Sequence, residues 1–219
     1  MDWPLILGKL ADRTDLTRDE ARAAMSEIMA GAATSAQTAA LIVSLRMKGE
    51  TIEEMAGLVE AIRQAAVPVA ASPDGLVDVV GTGGDRSGTY NISTTAAFIA
   101  AGAGARIAKH GNRAASSRCG SADVLEGLGV RIDLDVDANL RLLDDTNFAF
   151  FFAPLYHPSF RHAGPVRREL GIPTVFNFLG PLANPAGVRR QAVGVADAGM
   201  AERIIGVLAL LGSEYSFVF

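Results

Sequence analysis

The chain of 219 residues is long enough to bury a substantial core, as one large domain or two small ones. Hydrophobic residues make up 49% of it, charged residues 20%, and the formal net charge is −4, which argues against a disordered chain and against a broadly basic nucleic-acid-binding surface. The longest uncharged stretch of helical character, residues 91–105, is shorter than the roughly 20 apolar residues of a membrane span. The single Cys119 excludes a disulfide framework and a cysteine-based zinc site. Residues 1–4 lack the basic start of a secretory signal, and we expect a cytoplasmic protein without membrane or nucleic-acid partners.

The first 66 residues predict a helical subdomain. Residues 17–20 and 51–54 both have the Thr-x-x-Glu pattern of a capping box, in which the Thr hydroxyl and the Glu carboxylate satisfy backbone N–H groups at the start of a helix. A further helix is predicted from Ser35 to Gly49, and no strand pattern interrupts the segment.

From residue 74 onward the pattern changes to strands that alternate with helices. Strands are predicted at 76–80, 105–108, 148–152, 191–195 and 215–219, and helices at 91–102, 121–128, 136–143, 159–170 and 201–210. This alternation predicts an α/β domain over residues 74–219 with a mostly parallel sheet covered on both faces. Part of residues 159–190 is expected to pack on the helical subdomain.

A glycine-rich segment follows the first predicted strand. Residues 81–85 are Gly-Thr-Gly-Gly-Asp, and residues 91–94, Asn-Ile-Ser-Thr, begin the next helix. Ligands of parallel sheets bind beyond the carboxyl ends of strands, and a helix N-terminus there favours an anion. The segment is not a P-loop, and Arg86 replaces the third glycine of a dinucleotide fingerprint. A capped strand-to-helix turn without a ligand is the alternative.

A basic segment, residues 109–121, follows the second predicted strand. Lys109, Arg113 and Arg118 alternate with small hydroxyl residues, a composition that suits a polyanion such as a diphosphate. An ordinary basic surface loop is the alternative. Two such segments at one edge of a sheet favour the ligand-binding interpretation.

The two segments, together with Val-Phe-Asn-Phe-Leu-Gly-Pro-Leu-Ala-Asn-Pro at residues 175–185, resemble the anthranilate phosphoribosyltransferase family. The similarity extends over essentially the whole chain. The first segment is shared with pyrimidine nucleoside phosphorylases, which are related in fold, and residues 176–182 are similar in both groups. Asn112 and the Arg-Ala-Ala-Ser-Ser run at residues 113–117 therefore distinguish the resemblance to anthranilate phosphoribosyltransferases from one to pyrimidine nucleoside phosphorylases.

The resemblance implies an enzyme that transfers the phosphoribosyl group of phosphoribosyl pyrophosphate (PRPP) to the amine of anthranilate, the second step of tryptophan synthesis from chorismate. It also implies Mg²⁺ as cofactor and a homodimer joined through the helical subdomain. The alternatives are a pyrimidine nucleoside phosphorylase-like enzyme and a non-catalytic nucleic-acid-binding paralogue; the form of the basic segment and the net charge, respectively, disfavour them.

Site residues follow from the matched motifs. The positions that match PRPP-binding residues are Gly81, Gly84, Asp85, Thr89, Asn91, Ile92, Ser93, Thr94, Lys109, His110, Gly111, Asn112, Arg113, Ala114, Ala115, Ser116, Ser117 and Ser121. The resemblance assigns anthranilate to Gly81, Asn112 and Arg167, places His157 along its entry route, and makes Ser93 a magnesium ligand. Without the resemblance, Arg167 would be interpreted as a solvated helix residue and His157 as an ordinary loop residue.

No general acid or base is predicted, because an aromatic amine is already neutral and nucleophilic at pH 7. In the family, the strand that matches residues 215–219 leads into a glycine-rich loop and an Asp-Glu pair that helps to hold magnesium. We therefore expect this chain by itself to be an incomplete catalytic unit: either the parent protein is longer, or the fragment is inactive and poorly soluble.

Overall fold

The computed structural model describes residues 1–83, 90–114 and 119–219. Within them, the elements in chain order are α1 (Trp3–Ala11), α2 (Arg18–Met29), α3 (Ser35–Lys48), α4 (Ile52–Gln64), β1 (Leu76–Gly81), α5 (Ile92–Gly102), β2 (Arg106–Gly111), α6 (Ser121–Gly127), α7 (Val136–Thr146), β3 (Phe148–Phe152), α8 (Ala153–Tyr156), α9 (Phe160–Leu170), α10 (Phe176–Leu179), a 3₁₀ turn (Gly180–Leu182), β4 (Arg190–Gly194), α11 (Ala198–Leu210) and β5 (Tyr215–Val218). Of these helices, none has the length and apolar character that crossing a membrane requires.

The first four helices begin where the sequence provides a capping side chain. The capping boxes predicted at residues 17–20 and 51–54 are confirmed at the starts of α2 and α4. The helix α3 begins at the predicted Ser35, but its cap is Thr34, which forms a third capping box with Gln37. Asp2 caps α1 through the backbone N–H of Leu5, at 3.2 Å. These polar contacts fix where each helix starts.

Helices α1–α4 bury one apolar core together with α9, α10 and α11. Met25 of α2 and Leu58 of α4 are fully buried in it, and Leu179 and Val207 join them from the later helices. The helices α2 and α4 approach closely because α4 carries Gly57, where a side chain would collide with the carbonyl oxygen of Arg18. The helical core is therefore completed by segments that follow β3.

The five strands form one sheet in the order β3-β2-β1-β4-β5, and every neighbouring pair is parallel. A helical N-terminal part and a parallel α/β part confirm the predicted fold class. The chain proceeds from β1 to β2 to β3 in one direction and then returns to the other side of β1. At such a reversal the carboxyl ends of the strands leave a crevice, which lies here between β1 and β4.

Of the differences from the sequence predictions, two bear on the candidate site. The strand β2 extends to Gly111, so Lys109 and His110 belong to the strand and not to the loop that follows it. Polar residues are unusual in a strand buried on both faces, and tertiary partners, described below, accommodate them. The helical segment at residues 176–182 was not predicted, because its glycine and proline obscure the helical pattern.

Candidate active site

The segments that leave β1 and β2 meet at the carboxyl edge of the sheet. Gly81 ends β1, and the next residue, Thr82, donates its backbone N–H to the carbonyl of Gly194 in β4 at 2.9 Å. Asn91 joins the two segments, because its Nδ2 donates to the carbonyl oxygen of Cys119 at 3.4 Å. Six predicted PRPP-binding residues lie outside the described residues: Gly84, Asp85, Thr89, Ala115, Ser116 and Ser117.

The N-terminus of α5 lacks a side-chain cap. Asn91 occupies the cap position, but its side chain makes no capping hydrogen bond. The N–H of Ile92 donates to the carbonyl of Tyr90 at 2.7 Å, whereas the N–H groups of Ser93 and Thr94 have no side-chain acceptor from the cap position. Ser93 is half-buried, and the buried Thr94 hydroxyl has no hydrogen-bond partner among the described residues. The positive end of the helix dipole, without a side-chain cap, favours an anion at this point.

The segment after β2 is held closed by Asp123 of α6. One carboxylate oxygen, Oδ2, accepts the backbone N–H of Ala114 at 3.0 Å and that of Gly120 at 2.8 Å. These hydrogen bonds lower the pKa of the Asp123 carboxyl. Ser121 donates its hydroxyl to the carbonyl of Asn112 at 3.1 Å, which closes the segment further. Asp123 was not predicted, although an acid three residues after Gly120 has the spacing of a helix cap.

Arg113 is turned toward α6. Its guanidinium forms a two-point ion pair with Glu126, at 2.5 and 2.9 Å, and a hydrogen bond with Asp123 at 3.1 Å. It also lies over the ring of Phe152, 5.6 Å from the centroid. Its predicted contact with PRPP remains a prediction that requires the guanidinium to leave, or to share, these acidic partners.

Lys109 is buried inside the sheet edge. Lys109 is only 1% exposed. Its Nζ donates to the carbonyl of Val79 and lies 3.5 Å from Ser93 Oγ. Burial lowers the pKa of Lys109, and the negative charge of Asp78 counteracts part of this fall. Burial raises the pKa of Asp78 to about 6, and the positive charge of Lys109 counteracts part of this rise. The ammonium thus approaches the start of α5 from the protein interior and not from the solvent side.

Two buried histidines lie behind the same edge. The rings of His110 and His157 are 5.0 Å apart, and burial lowers their pKa values to about 3 and about 4. Neither ring nitrogen of His157 has a hydrogen-bond partner of normal geometry among the described residues. The nearby carbonyl of Ala183 opposes the fall of the His157 pKa only in part. Both imidazoles are neutral at pH 7 and are poor proton donors there.

Aromatic rings connect His157 to Arg167. His157 contacts Phe160 at 5.8 Å between centroids, Phe160 contacts Phe176 at 5.7 Å, and the Arg167 guanidinium lies 5.0 Å above Phe176. Arg167 is half-buried, burial lowers its pKa, and no carboxylate pairs with it within the described ranges. A surface pocket of about 260 Å³ is lined by Gly164, Arg167, Arg168 and Ile172. An unpaired cation beside aromatic surface suits the carboxylate of an aromatic acid. The rings of Phe160 and Phe176 were not predicted as part of the site.

The described residues do not by themselves form a magnesium site. No group of three His, Cys, Asp or Glu side chains converges in that part of the chain. The predicted ligand Ser93 offers one hydroxyl oxygen, which lies 3.5 Å from the Lys109 ammonium. Mg²⁺ usually takes one or two carboxylates together with substrate phosphate oxygens and water.

Family models match both parts of the chain. The helical bundle domain of the glycosyl transferase family matches residues 4–66, and the a/b domain of the same family matches residues 73–219. The chain belongs to this glycosyl transferase family.

Within the family, the similar proteins are anthranilate phosphoribosyltransferases, which confirms the resemblance found from the motifs. The one from Herpetosiphon aurantiacus is 54% identical over 209 residues, which cover 95% of this chain and 62% of the relative. The crystal structure of the Thermus thermophilus enzyme matches at a TM-score of 0.89 and 43% identity, covering 95% of this chain and 63% of that one. The Saccharomyces cerevisiae enzyme in complex with PRPP and Mg matches at a TM-score of 0.89 and 30% identity, covering 99% of this chain and 64% of that one. This chain thus spans less than two thirds of the length of each relative.

Proposed function

We propose that the protein transfers the phosphoribosyl group of PRPP to the amine of anthranilate, giving N-(5-phosphoribosyl)anthranilate and pyrophosphate, as the second step of tryptophan synthesis from chorismate. The observation that carries the proposal is the meeting of two segments at the carboxyl ends of β1 and β2, beside the uncapped start of α5. The relatives and solved structures named above are all anthranilate phosphoribosyltransferases, and none of them is a nucleoside phosphorylase or a nucleic-acid-binding protein.

The chemistry requires positioning more than proton transfer. The bond between C1 of the ribose and the pyrophosphate oxygen breaks, positive character develops on the sugar, and the amine nitrogen forms the new bond to C1 before its proton leaves to solvent. An aromatic amine needs no base to act as a nucleophile at pH 7. With pKa values of about 3 and about 4, His110 and His157 have no proton to donate at pH 7 and are weak bases, which supports a mechanism without a general acid or base among them.

The N–H groups at the start of α5 are proposed to hold phosphate oxygens of PRPP. Ser93 and Thr94 add hydroxyl donors there, and Asn112 and Ser121 contribute polar groups from the segment after β2. Donors fixed in advance stabilise the negative charge that develops on departing pyrophosphate without reorganising during the reaction.

Anthranilate is proposed to bind along the aromatic rings between His157 and Arg167. The Arg167 guanidinium would hold the carboxylate and the half-buried Phe160 would provide apolar surface for the ring, while the buried Phe176 lies beneath the guanidinium. Gly81 and Asn112 are proposed to approach anthranilate from the edge of the sheet. Charge pairing at one end and apolar contact at the other would orient the amine toward C1.

Mg²⁺ is proposed to accompany PRPP, with Ser93 as one protein ligand. The yeast relative is described in complex with PRPP and Mg. When bound, the ion would neutralise charge on the phosphate oxygens.

We propose a cytoplasmic homodimer joined through the helical subdomain. Leu5 of α1 and Met47 of α3 expose 55% and 70% of their surface, so the helical part has apolar side chains available for a partner copy. Sedimentation of the protein tests this, and a monomer at micromolar concentration would contradict it.

An assay of phosphoribosyl-anthranilate formation, followed as loss of anthranilate fluorescence, tests the proposed activity. The full-length protein, and not residues 1–219 alone, which are expected to be an incomplete catalytic unit, is incubated with anthranilate, PRPP and Mg²⁺ here and in the kinetic tests below, and a parallel reaction contains thymidine and inorganic phosphate. Loss of fluorescence that depends on both PRPP and the protein is expected, without phosphorolysis of thymidine. Phosphorolysis without loss of anthranilate would replace this proposal by the phosphorylase alternative.

A further inference from the structure

The strands β1 and β2 separate before they reach the site. Their backbone pairing, within the described residues, is confined to Leu76 with Arg106 and Val77 with Ile107. On the outer sides the ladders continue to the ends of both strands, to Gly81 with Gly194 and to Gly111 with Phe152. The two central strands therefore part at their carboxyl ends while each remains paired to its other neighbour.

Side chains bind the backbone groups that the separation leaves unpaired. Asn184 donates its Nδ2 to the carbonyl of Ala108 and to Asp78 Oδ2, both at 2.8 Å. The second oxygen of Asp78 accepts the backbone N–H of His110 at 3.2 Å. Lys109 donates its Nζ to the carbonyl of Val79 on the opposite strand. Asp78, Lys109 and Asn184 form what we call the polar wedge, and each is at most 1% exposed.

Burying the charged groups of the polar wedge costs hydration free energy. A buried carboxylate and a buried ammonium each lose hydration, and replacing such a group by apolar residues is often neutral or stabilising. A continued ladder between β1 and β2 would satisfy the same backbone groups without any buried charge. Stability alone therefore does not account for the wedge, whereas a requirement for a fixed separation of the two strand ends does.

The two strand ends carry the two segments of the proposed site. β1 leads to the start of α5, and β2 leads to Asn112. The wedge contacts both: Lys109 lies 3.5 Å from Ser93 Oγ, and Asp78 holds the backbone of His110. Asn184 is itself fixed, because its Oδ1 accepts the backbone N–H of Ala186 at 2.9 Å.

We propose that Asp78 and Asn184 are positioning residues of the phosphoribosyl transfer, which hold the ends of β1 and β2 apart at the separation that PRPP requires. The inference rests on the proposed function. Neither side chain touches substrate; both act through Lys109, Ser93 and the backbone of His110. Loss of either is expected to misplace the two segments relative to each other by a fraction of an ångström, which is enough to impair a reaction that depends on alignment.

Asn139 provides a matched control for Asn184. It is also 1% exposed, and its Nδ2 also donates to a strand carbonyl, that of Phe150 at 3.1 Å, and to a side chain, the Tyr156 hydroxyl at 2.7 Å. It packs on β3, outside the wedge. Both Asn184→Ala and Asn139→Ala remove two hydrogen bonds of a buried Nδ2, and both are expected to lower stability; Asn184→Ala also removes the hydrogen bond to Ala186, so it is expected to lower stability more.

Steady-state kinetics per folded protein, with the folded fraction taken from circular dichroism, separate the two roles. In Asn184→Ala we expect kcat/KM for PRPP to fall at least about tenfold, and Asn139→Ala to remain within about twofold of the unmodified protein. PRPP with Mg²⁺ should also raise Tm less in Asn184→Ala than in Asn139→Ala. If the two variants have equal kinetic constants and equal shifts of Tm, the inference is wrong.

Asp78→Asn covers the case in which Asn184→Ala does not fold. It is isosteric and keeps an acceptor for the His110 N–H, so it is expected to fold and to show the same fall in kcat/KM. Kinetic constants of Asp78→Asn equal to those of the unmodified protein would overturn the inference. If the unmodified protein neither binds nor uses PRPP, the proposed function fails first, and the inference fails with it.

Discussion

Replacing His157 by phenylalanine tests whether the ring behind the site is as buried and as poorly hydrogen-bonded as the structure shows. His157 is 4% exposed, and neither of its ring nitrogens has a partner of normal geometry among the described residues. Burial lowers its pKa from 6.5 to about 4. The folded state therefore resists protonation of this ring, whereas the unfolded chain accepts the proton near pH 6.5.

The sign and size of the effect follow from this difference. Because the folded pKa lies below the unfolded one, the stability that His157 provides is fully present above about pH 6.5 and is lost as the pH falls toward 4. One pKa unit corresponds to about 1.4 kcal/mol, so the whole shift corresponds to about 3 kcal/mol. Between pH 7 and pH 4.5, His157 should account for about 2 kcal/mol of lost unfolding free energy. The phenylalanine variant should lose that much less.

Urea denaturation at pH 7 and pH 4.5 measures the quantity. A phenyl ring is larger than an imidazole and can shift stability at both pH values, so only the change between them is compared. His110 faces His157 and titrates with a pKa of about 3, and it remains in the variant, which will still be sensitive to acid. Tyr156→Phe serves as the control: it removes a neighbouring hydroxyl bonded to Asn139 and should keep the full acid dependence of the unmodified protein.

Equal losses of unfolding free energy in His157→Phe and the unmodified protein, within about 0.5 kcal/mol, would refute the reasoning. The His157 ring would then be hydrated or hydrogen-bonded in solution. The interpretation of the neighbouring rings as an apolar surface for anthranilate would lose its basis as well.

Three further predictions concern the substrates and the helical core. Arg167→Ala should raise KM for anthranilate at least about tenfold with little change in KM for PRPP. As a control, Arg161→Ala at an exposed position of the same helix should change neither KM. Equal increases of KM for both substrates would assign Arg167 to the phosphate site. Lys109→Met should raise KM for PRPP while far-ultraviolet circular dichroism stays unchanged, and an unaltered KM would contradict its action through Ser93. Glu54→Gln should lower the unfolding free energy measured in urea by about 2–4 kcal/mol, because the buried carboxylate accepts hydrogen bonds from two backbone N–H groups and from the Lys48 ammonium. As a control, Asp19→Asn, which removes an exposed ion pair, should change the unfolding free energy by less than about 0.5 kcal/mol.

Local signals in the sequence were sufficient for most of the fold. The capping boxes at residues 17–20 and 51–54 and the apolar run at 148–152 depend on neighbouring residues alone, and the structure places these elements as predicted. The end of β2 was missed, because Lys109 and His110 resemble loop residues until their partners on other segments are known.

The sequence predicts the candidate site as two segments and not as a set of contacts. The motifs predict roles for Asn91, Lys109 and Arg167, which stay predictions, but they do not indicate that Lys109 is buried or that Phe176 lies under Arg167. Asp78 gave a signal that was overlooked: a carboxylate within an otherwise apolar strand. Its partner Asn184 is 106 residues away along the chain, and only the folded arrangement shows why a charge is tolerated there.

The strand order also has a consequence for how the molecule is built during translation. β1 is the middle strand of the sheet, but its longer ladder is made with β4, about 110 residues further along the chain, and parallel pairing over such a separation forms slowly. Until that stretch has been synthesised, the nascent chain has a central strand with one side open to other polypeptides. The helical core is in the same position, because α9, α10 and α11 arrive late. The residues from α9 to β5 therefore complete the sheet and the helical core together, and the nascent chain is most prone to aggregation before they leave the ribosome.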